Sequence, residues 1–431
     1  MTHHEHAPAQ PFPDRPDTAP RSVGQHQVAL AELTPALEPV RLGLAEAGGC
    51  VLAEDVRSRT PIPLFDNSAM DGYAVHAQDL ADAGERAPVT LPVVADLPAG
   101  ETRRQRIEPG QVARIMTGAP MPEGADAVVP VEHTDGGTTT VRISSAPAPG
   151  AHVRRGGEDM AAGDLVLGSG TVLGGRQIAA AAACGHGDLL VHPRPRVAVV
   201  STGSELVPPG QEARWGQIPD SNSYLLAESV RECGGHVRRL EAIADDAASF
   251  RAALQDLAGQ VDMVVCSGGV SVGAYDVVKE ALAPLEEMWF GPISMQPGKP
   301  QGLGRLPEGP VVVALPGNPV SVHVGFEVLV RPALERMAGR SQDSAPPVQE
   351  AMVAVGWRSP QGREQYMPVV FDGTGPGGRT LVRPTTARGS GSHLVASLAA
   401  AQGLARVPAD VDEVAPGDHV DLVRTTRQGA R

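Results

Sequence analysis

Aromatic residues make up only 3% of this 431-residue chain, and of its 36 basic residues just two, Lys279 and Lys299, are lysines. So few rings leave little on which single-stranded bases could stack. The formal net charge of −14 points the same way, because proteins that track phosphates need clustered cations; no nucleic-acid partner is expected, and any anionic ligand must be met by a local patch. Cysteine is scarce as well: Cys50, Cys184, Cys233 and Cys266 stand far apart, with no CxxC and no histidine at metal-ligand spacing. Reduced, buried thiols in a cytoplasmic protein are the simplest expectation. No apolar run approaches the roughly 18 residues needed to cross a bilayer, so no membrane partner is expected. The first two dozen residues, His3, His4 and His6 among them, lack the basic start and apolar run of a signal peptide, and 1–23 reads as a disordered, proline-rich tail.

Apolar residues and turn formers are plentiful. At 42% apolar the chain can fill several cores, and its length suits roughly three domains of ~150 residues. Its 50 glycines and 40 prolines stay below the ~25–30% typical of low-complexity sequence. From Gln25 to about Glu46 the spacing predicts a helix, followed by a strand-like Cys50–Val56. From 60 to 148, short β-like pieces such as VTLPVVADLP and QVARIM alternate with Gly and Pro turns, which predicts a small β module. A strand-turn-helix pattern then resumes, so the module is read as inserted into a first domain split over 24–59 and 149–190.

Beyond Arg196 the rhythm becomes strand, helix, strand, helix. RVAVVST, HVRRLEAIA, VDMVVCSGG and VVVALPG are the strands, and a long helix is expected from Val320 to about Met337. Unbroken apolar strands alternating with helices predict a doubly wound α/β domain over 191–340. SQDSAPP reads as a linker, and the alternating pieces beyond it predict a β-barrel-like domain over 346–431.

In doubly wound sheets ligands bind beyond the carboxyl ends of the strands, so three strand-end loops are singled out: STGSEL, SGGVSVGAYD and LPGNP. In the second, Ser267, Gly268, Gly269, Ser271 and Gly273 suit phosphate held on main-chain N–H groups. Glu205 and Asp276 stand beside these loops, and a cradle plus one or two carboxylates is what a Mg²⁺-bridged phosphate requires. Each loop alone also reads as a simple chain reversal. No GxxxxGK[ST] and no GxGxxG opening a helix is present, so the common nucleotide fingerprints are absent.

Seven segments, PIPLFDNSAMDGYAV (61–75), RIMTGAPMPEGADAVVPVE (114–132), RRGGEDMAAGDLVLGSGTVL (154–173), STGSELVPPG, SGGVSVGAYD, MQPGKPQG (295–302) and ALPGNPVS (314–321), occur in the order found in the molybdopterin molybdenumtransferase family, which includes the gephyrin E domain. The resemblance spans residues 24 to 425. It implies a four-domain subunit, a homodimer whose active site joins the α/β domain of one copy to the inserted domain of the other, and two anionic substrates, adenylylated molybdopterin and molybdate, with release of AMP. Asp71, Asp159, Glu205 and Asp276 resemble family carboxylates required for activity. Glu205, Asp245 and Asp276 are the implied holders of a divalent cation. Thr117, Arg154, Arg155, Lys299, Pro316, Gly317, Asn318 and Ser392 match positions near the ligand. Plainer readings stand beside several of these: a tight turn for Asp71, a turn-capping hydroxyl for Thr117, solvated arginines, and helix N-capping for Asp245. Lys279 is expected to be exposed.

The chain also departs from the family pattern. Gln296 stands where the family motif has its first lysine, Pro292 where an upstream lysine is common, and Pro368 where many members carry arginine, while Arg363 is kept nearby. These losses raise two alternatives: a catalytically weakened paralogue that binds or delivers the cofactor, and insertion of another oxyanion such as tungstate.

Overall fold

The computed structural model describes residues 19–243, 246–270, 276–340, 349–386 and 391–425, and these divide into two compact units. One comprises the stretch up to Val40, Gly49–Val51 and the chain from Val191 on; the other comprises Arg41–Gly48 and Leu52–Leu190.

The first unit is built on a six-stranded sheet in the order His236–Arg239, Arg196–Ser201, Met263–Ser267, Val311–Leu315, Pro300–Arg305, Met288–Pro292. The first four strands are parallel, with Val199 beside Val265 and Val265 beside Val313. Alternate residues feed opposite layers, as strand geometry demands. Val197, Val199, Met263 and Val313 join one apolar cluster with Leu226, Val230 and Phe326, whereas Ala198, Val200, Val264 and Cys266 join another with Phe250, Leu254 and Val278. Helices therefore cover both faces, as a doubly wound sheet requires, and each fully buried Val or Leu contributes ~1.5–3 kcal/mol. The last two strands run antiparallel and were not foreseen, because MWFGP and PQGLGR carry glycine and proline instead of an apolar run.

Helix Val23–Leu33 packs in the first of these clusters through Leu30 and Leu33. Its start is a capping box, with the Gln25 N–H donating to Ser22 Oγ at 3.1 Å and the Ser22 N–H to Gln25 Oε1 at 2.8 Å. It ends well before Glu46, because Pro35 cannot continue a helix. The expected long helix is present as Pro319–Gly325, a π turn Phe326–Val330 and Arg331–Met337. Pro332 has no N–H for the carbonyl of Val328, and Gln27 Nε2 donates to that carbonyl instead, at 3.0 Å.

At the carboxyl end, strands Glu364–Thr374, Thr380–Pro384, Gln349–Val353, His419–Arg424 and Gly403–Val407 close into a barrel, the last pairing back onto the first. Val353, Val369, Val382, Val407 and Leu422 fill it. Backbone pairing helps fasten it to the α/β sheet's loops. Met295–Gln296 runs parallel to Glu364–Gln365, and the Val320 N–H donates to the Ser392 carbonyl at 3.0 Å.

In the second unit, Ala127–Pro130, Gly72–Val75, Val112–Ile115, Val89–Leu97 and Thr140–Ile143 form a five-stranded sheet around Val75, Leu80, Val112 and Tyr73, whose hydroxyl donates to the Gly137 carbonyl at 2.9 Å. The flanking segments pair with each other, Val56–Arg57 against Leu165–Leu167, so the sheet is an insertion between them. All four cysteines are buried and free, as expected. No described helix is long and apolar enough to cross a membrane.

Candidate active site

The strand-end loops of the α/β sheet, together with Ser392, His393 and Val395 from the barrel region, enclose a cleft of about 1030 Å³. Thr202, Gly203 and Glu205 come from the first loop, Ser267 to Val270 from the second, and Pro316 to Pro319 from the third; Asp220, Asn222 and Gln296 to Gly298 complete much of the wall. Close approach is what the glycines serve. Gly268 has φ 95°, and a Cβ there would lie 2.6 Å from the Thr202 carbonyl; a Cβ on Gly317 would be 3.4 Å from Gly268 Cα. A Cβ on Gly203 would meet both carboxylate oxygens of Glu205 at 2.6 Å.

The loops are tied by backbone bonds: Gly268 N–H to the Leu315 carbonyl at 3.0 Å and Lys279 N–H to the Gly269 carbonyl at 3.1 Å. The Gly268 amide, counted on from the sequence for the phosphate cradle, is thus engaged within the protein. Ser271 and Gly273 lie outside the described residues.

Several side chains are only half satisfied. Asn222 Nδ2 donates to the Gly317 carbonyl at 2.7 Å, yet Asn222 Oδ1, Thr202 Oγ1 and Asp276 Oδ2 are buried with no hydrogen-bond partner. An unpaired buried polar atom costs about 1–3 kcal/mol, so such atoms gathered along one set of loops mark a place that a polar ligand would relieve. Asp276 occupies the N-cap position of Val277–Leu282 but makes no side-chain cap bond.

Sequence reasoning missed Asp220. Only 4% exposed, it accepts from Ser201 Oγ at 3.1 Å, from the Ser223 N–H at 3.1 Å and from Ser223 Oγ at 2.5 Å, and Ser201 Oγ lies 3.0 Å from Ser267 Oγ. In the sequence, PDSN ahead of an amphipathic run reads as a helix start, and its contact with Ser201 is visible only once the strands are side by side. Lys299 is exposed and is not among the cleft's lining residues, although its neighbours Gly298 and Pro300 are. Lys279 is half-buried instead of exposed, and Pro368 is buried in the barrel wall.

Among the described residues no three His, Cys, Asp or Glu side chains gather as a metal-binding group, and Asp245 lies outside those residues. Glu205 lines the cleft and Asp276 does not; both are hard oxygen donors of the type a divalent cation takes alongside phosphate oxygens and water.

In the second unit, Asp71 Oδ1 accepts from the Thr117 N–H at 2.7 Å and from Thr117 Oγ1 at 2.8 Å. Those bonds, the backbone one foremost, hold the exposed Asp71 carboxyl below its usual range. Gly72 lets the strand press inward, since a Cβ there would come 2.0 Å from the Val129 carbonyl. Arg155 is tied to Asp66, Nη1 to Oδ2 at 2.6 Å, while the Gly156 N–H donates to Asp66 Oδ1 at 2.7 Å. The Gly156 bond leads in lowering the Asp66 carboxyl. Arg154 pairs through its backbone with Asn67, and the Asp159 N–H donates to the Ile62 carbonyl at 3.0 Å. Asp71 and Thr117 are therefore in contact, while Arg154, Arg155 and Asp159 lie along the segment bonded to 62–67; all five are exposed.

Residues 21–185 match the MoeA N-terminal region (domain I and II), residues 198–336 the probable molybdopterin binding domain, and residues 350–424 the MoeA C-terminal region (domain IV). The chain is 44% identical to molybdopterin molybdenumtransferase 2 of Mycobacterium tuberculosis, covering 93% of this chain and 99% of that one. It is 38% identical to the molybdopterin molybdenumtransferase of a Nostoc species, over 79% of each. The crystal structure of a molybdopterin biosynthesis MoeA protein from Pyrococcus horikoshii is similar with a TM-score of 0.75 at 30% identity, over 95% of this chain and 100% of that one.

Proposed function

The chain belongs to the molybdopterin molybdenumtransferase family and serves as a transferase in molybdenum cofactor biosynthesis, and from that premise we propose that it inserts molybdate into adenylylated molybdopterin with release of AMP. The observation that carries this reading is the pair of unpartnered polar atoms Thr202 Oγ1 and Asn222 Oδ1, on residues that line a cleft large enough for a nucleotide-sized ligand. In this proposal Ser267, Gly268, Gly269, Pro316, Gly317 and Asn318 shape the wall that receives the pyrophosphate, and Asn222 and Thr202 offer it polar contacts. Ser392 reaches the same cleft from the barrel region, and exposed Lys299 draws the anions toward it. Ser271 and Gly273 belong to the same proposed cradle.

Glu205 and Asp276, with Asp245, would hold a Mg²⁺ ion. Bound there, that ion would offset the charge of the phosphate oxygens. Proposed too are a homodimer, in which Asp71, Thr117, Arg154, Arg155 and Asp159 of one copy complete the cleft of the other, a cytoplasmic location, and the four-domain division at the limits given above. A binding-only paralogue and a preference for tungstate are not favoured by relatives named molybdopterin molybdenumtransferase.

The test is AMP release from adenylylated molybdopterin with molybdate and Mg²⁺ each omitted in turn. Release that needs both supports the reading, and release indifferent to molybdate overturns it. Dimer geometry is tested separately by co-expressing Asp71→Ala with Glu205→Ala. A shared site predicts recovery to roughly a quarter of normal activity in the co-expressed population, since about half of the dimers are mixed and one of the two symmetric sites in each is intact; no recovery contradicts it.

A further inference from the structure

No lysine or arginine is among the described residues that line the cleft, whose ionisable side chains are Glu205, Asp220 and His393. Two carboxylates facing an anionic substrate are adverse, because like charges at short range repel. The lining itself therefore supplies no fixed cation for the oxyanion, and a cation standing just behind the wall can act on it through a lining residue.

Arg363 is that cation. It is half-buried, and its Nη1 donates to Gln296 Oε1 at 3.2 Å. The adjacent carboxylate, Glu364, is engaged by Arg406 Nη2 at 3.1 Å and by the Tyr366 hydroxyl, and no described carboxylate forms an ion pair with Arg363. Gln296 in turn lines the cleft, its backbone fixed by the parallel pairing with Gln365.

The chemistry of the two groups settles how the amide is turned. A guanidinium has five N–H donors and no acceptor, so it can be met only by the amide oxygen. The end of Gln296 left for a ligand in the cleft is its Nε2, which carries two N–H donors. A cation on the oxygen also polarises the amide and strengthens those donors. We infer that Gln296 Nε2 is the oxyanion donor of this cleft and that Arg363 is the positioning residue that orients and polarises it. A neutral amide held by a rear guanidinium would then meet molybdate in a wall without cations of its own. The inference rests on the proposed function, since it names how that reaction's second substrate is recognised.

The experiment measures molybdate binding to the full-length chain by equilibrium dialysis with metal analysis, together with the molybdate dependence of AMP release. Gln296→Met keeps the bulk and removes the donors; its molybdate Kd and KM are expected to rise about 10-fold or more, the size of a charge-assisted hydrogen bond, with KM rising more than kcat falls. Gln296→Glu would pair with Arg363 and turn a carboxylate oxygen to the ligand, raising Kd on the order of 100-fold. Arg363→Met frees the amide to rotate and should raise KM by roughly 3- to 10-fold, while Arg363→Lys, still a donor, should recover most of it. Thermal unfolding of each variant checks that the fold is kept. A Gln296→Met protein with ordinary molybdate Kd and KM overturns the inference and leaves the function standing, as does Arg363→Met indistinguishable from the unaltered chain. Failure of the unaltered protein to release AMP in response to molybdate overturns the function itself.

Discussion

The two places where the carboxylates of the proposed site stand are finished to different degrees. In the inserted sheet, Asp71 is already answered by Thr117 and Asp66 by Arg155 and the Gly156 amide. On the α/β loops, Asp276 Oδ2, Thr202 Oγ1 and Asn222 Oδ1 have been withdrawn from water without being answered. The first arrangement fixes side chains at the surface of a single copy, and its groups are at rest. The second holds free energy in reserve, to be released by whatever supplies the missing partners. Removing an unanswered polar group on the α/β loops should therefore lower function without lowering stability, whereas removing an answered one in the inserted sheet should cost some of both.

The largest effect is expected from Gly268→Ala. A methyl group 2.6 Å from the Thr202 carbonyl at φ 95° forces the loop to move; we expect about 2–4 kcal/mol of destabilisation and loss of measurable AMP release, followed by urea unfolding and the activity assay. Asp276→Asn comes next and separates the two properties. Activity should fall on the order of 100-fold, while the unfolding midpoint stays level, because Asp276 makes no side-chain cap bond and its Oδ2 has no hydrogen-bond partner to lose. A lowered midpoint would mean that Asp276 is a structural residue.

Acid should then distinguish the units. Burial, aided by nearby Arg21, lowers the His26 pKa to about 3, and burial with Arg331 nearby lowers that of His323 to about 4. Both histidines have folded pKa values below the unfolded value of 6.5, so the unfolded chain takes up more protons and stability falls as pH drops from about 6.5 toward those values. Depressed carboxylates such as Asp71 and Asp66 contribute in full above the ordinary carboxylate pKa and lose that contribution only as pH falls through their lowered values. The α/β unit should thus loosen first, by a few kcal/mol near pH 4, and His26→Leu should move that transition to lower pH. Simultaneous melting of both units with no response to His26→Leu would refute this order. The smallest effect belongs to Thr117→Val, which removes one of the two bonds to Asp71. The carboxyl should rise toward its usual pKa in a carbon-detected NMR titration, and AMP release should fall less than about tenfold.

Much of the fold was legible because buried parallel strands must be unbroken apolar runs, and RVAVVS, MVVCS and VVVAL are such runs. The antiparallel edge was not, since Gly302 and Gly304 sit against Phe290 and Met288, a packing device without a pattern of its own. The helix at the amino end was overextended because apolar spacing continued past Pro35. In the cleft, glycine-marked loops announced themselves, whereas Asp220 and the Arg363–Gln296 contact depend on residues 19 and 67 positions apart meeting in space. Proximity of that kind leaves no mark on either residue alone.

The π turn has a practical corollary. Gln27 supplies the Val328 carbonyl with a donor from another element, where Pro332 has no N–H to give it. Trimming the chain past residue 27 is therefore no cosmetic shortening: it takes away a donor that the 319–337 stretch borrows from another helix, and Pro332→Ala would restore one from within.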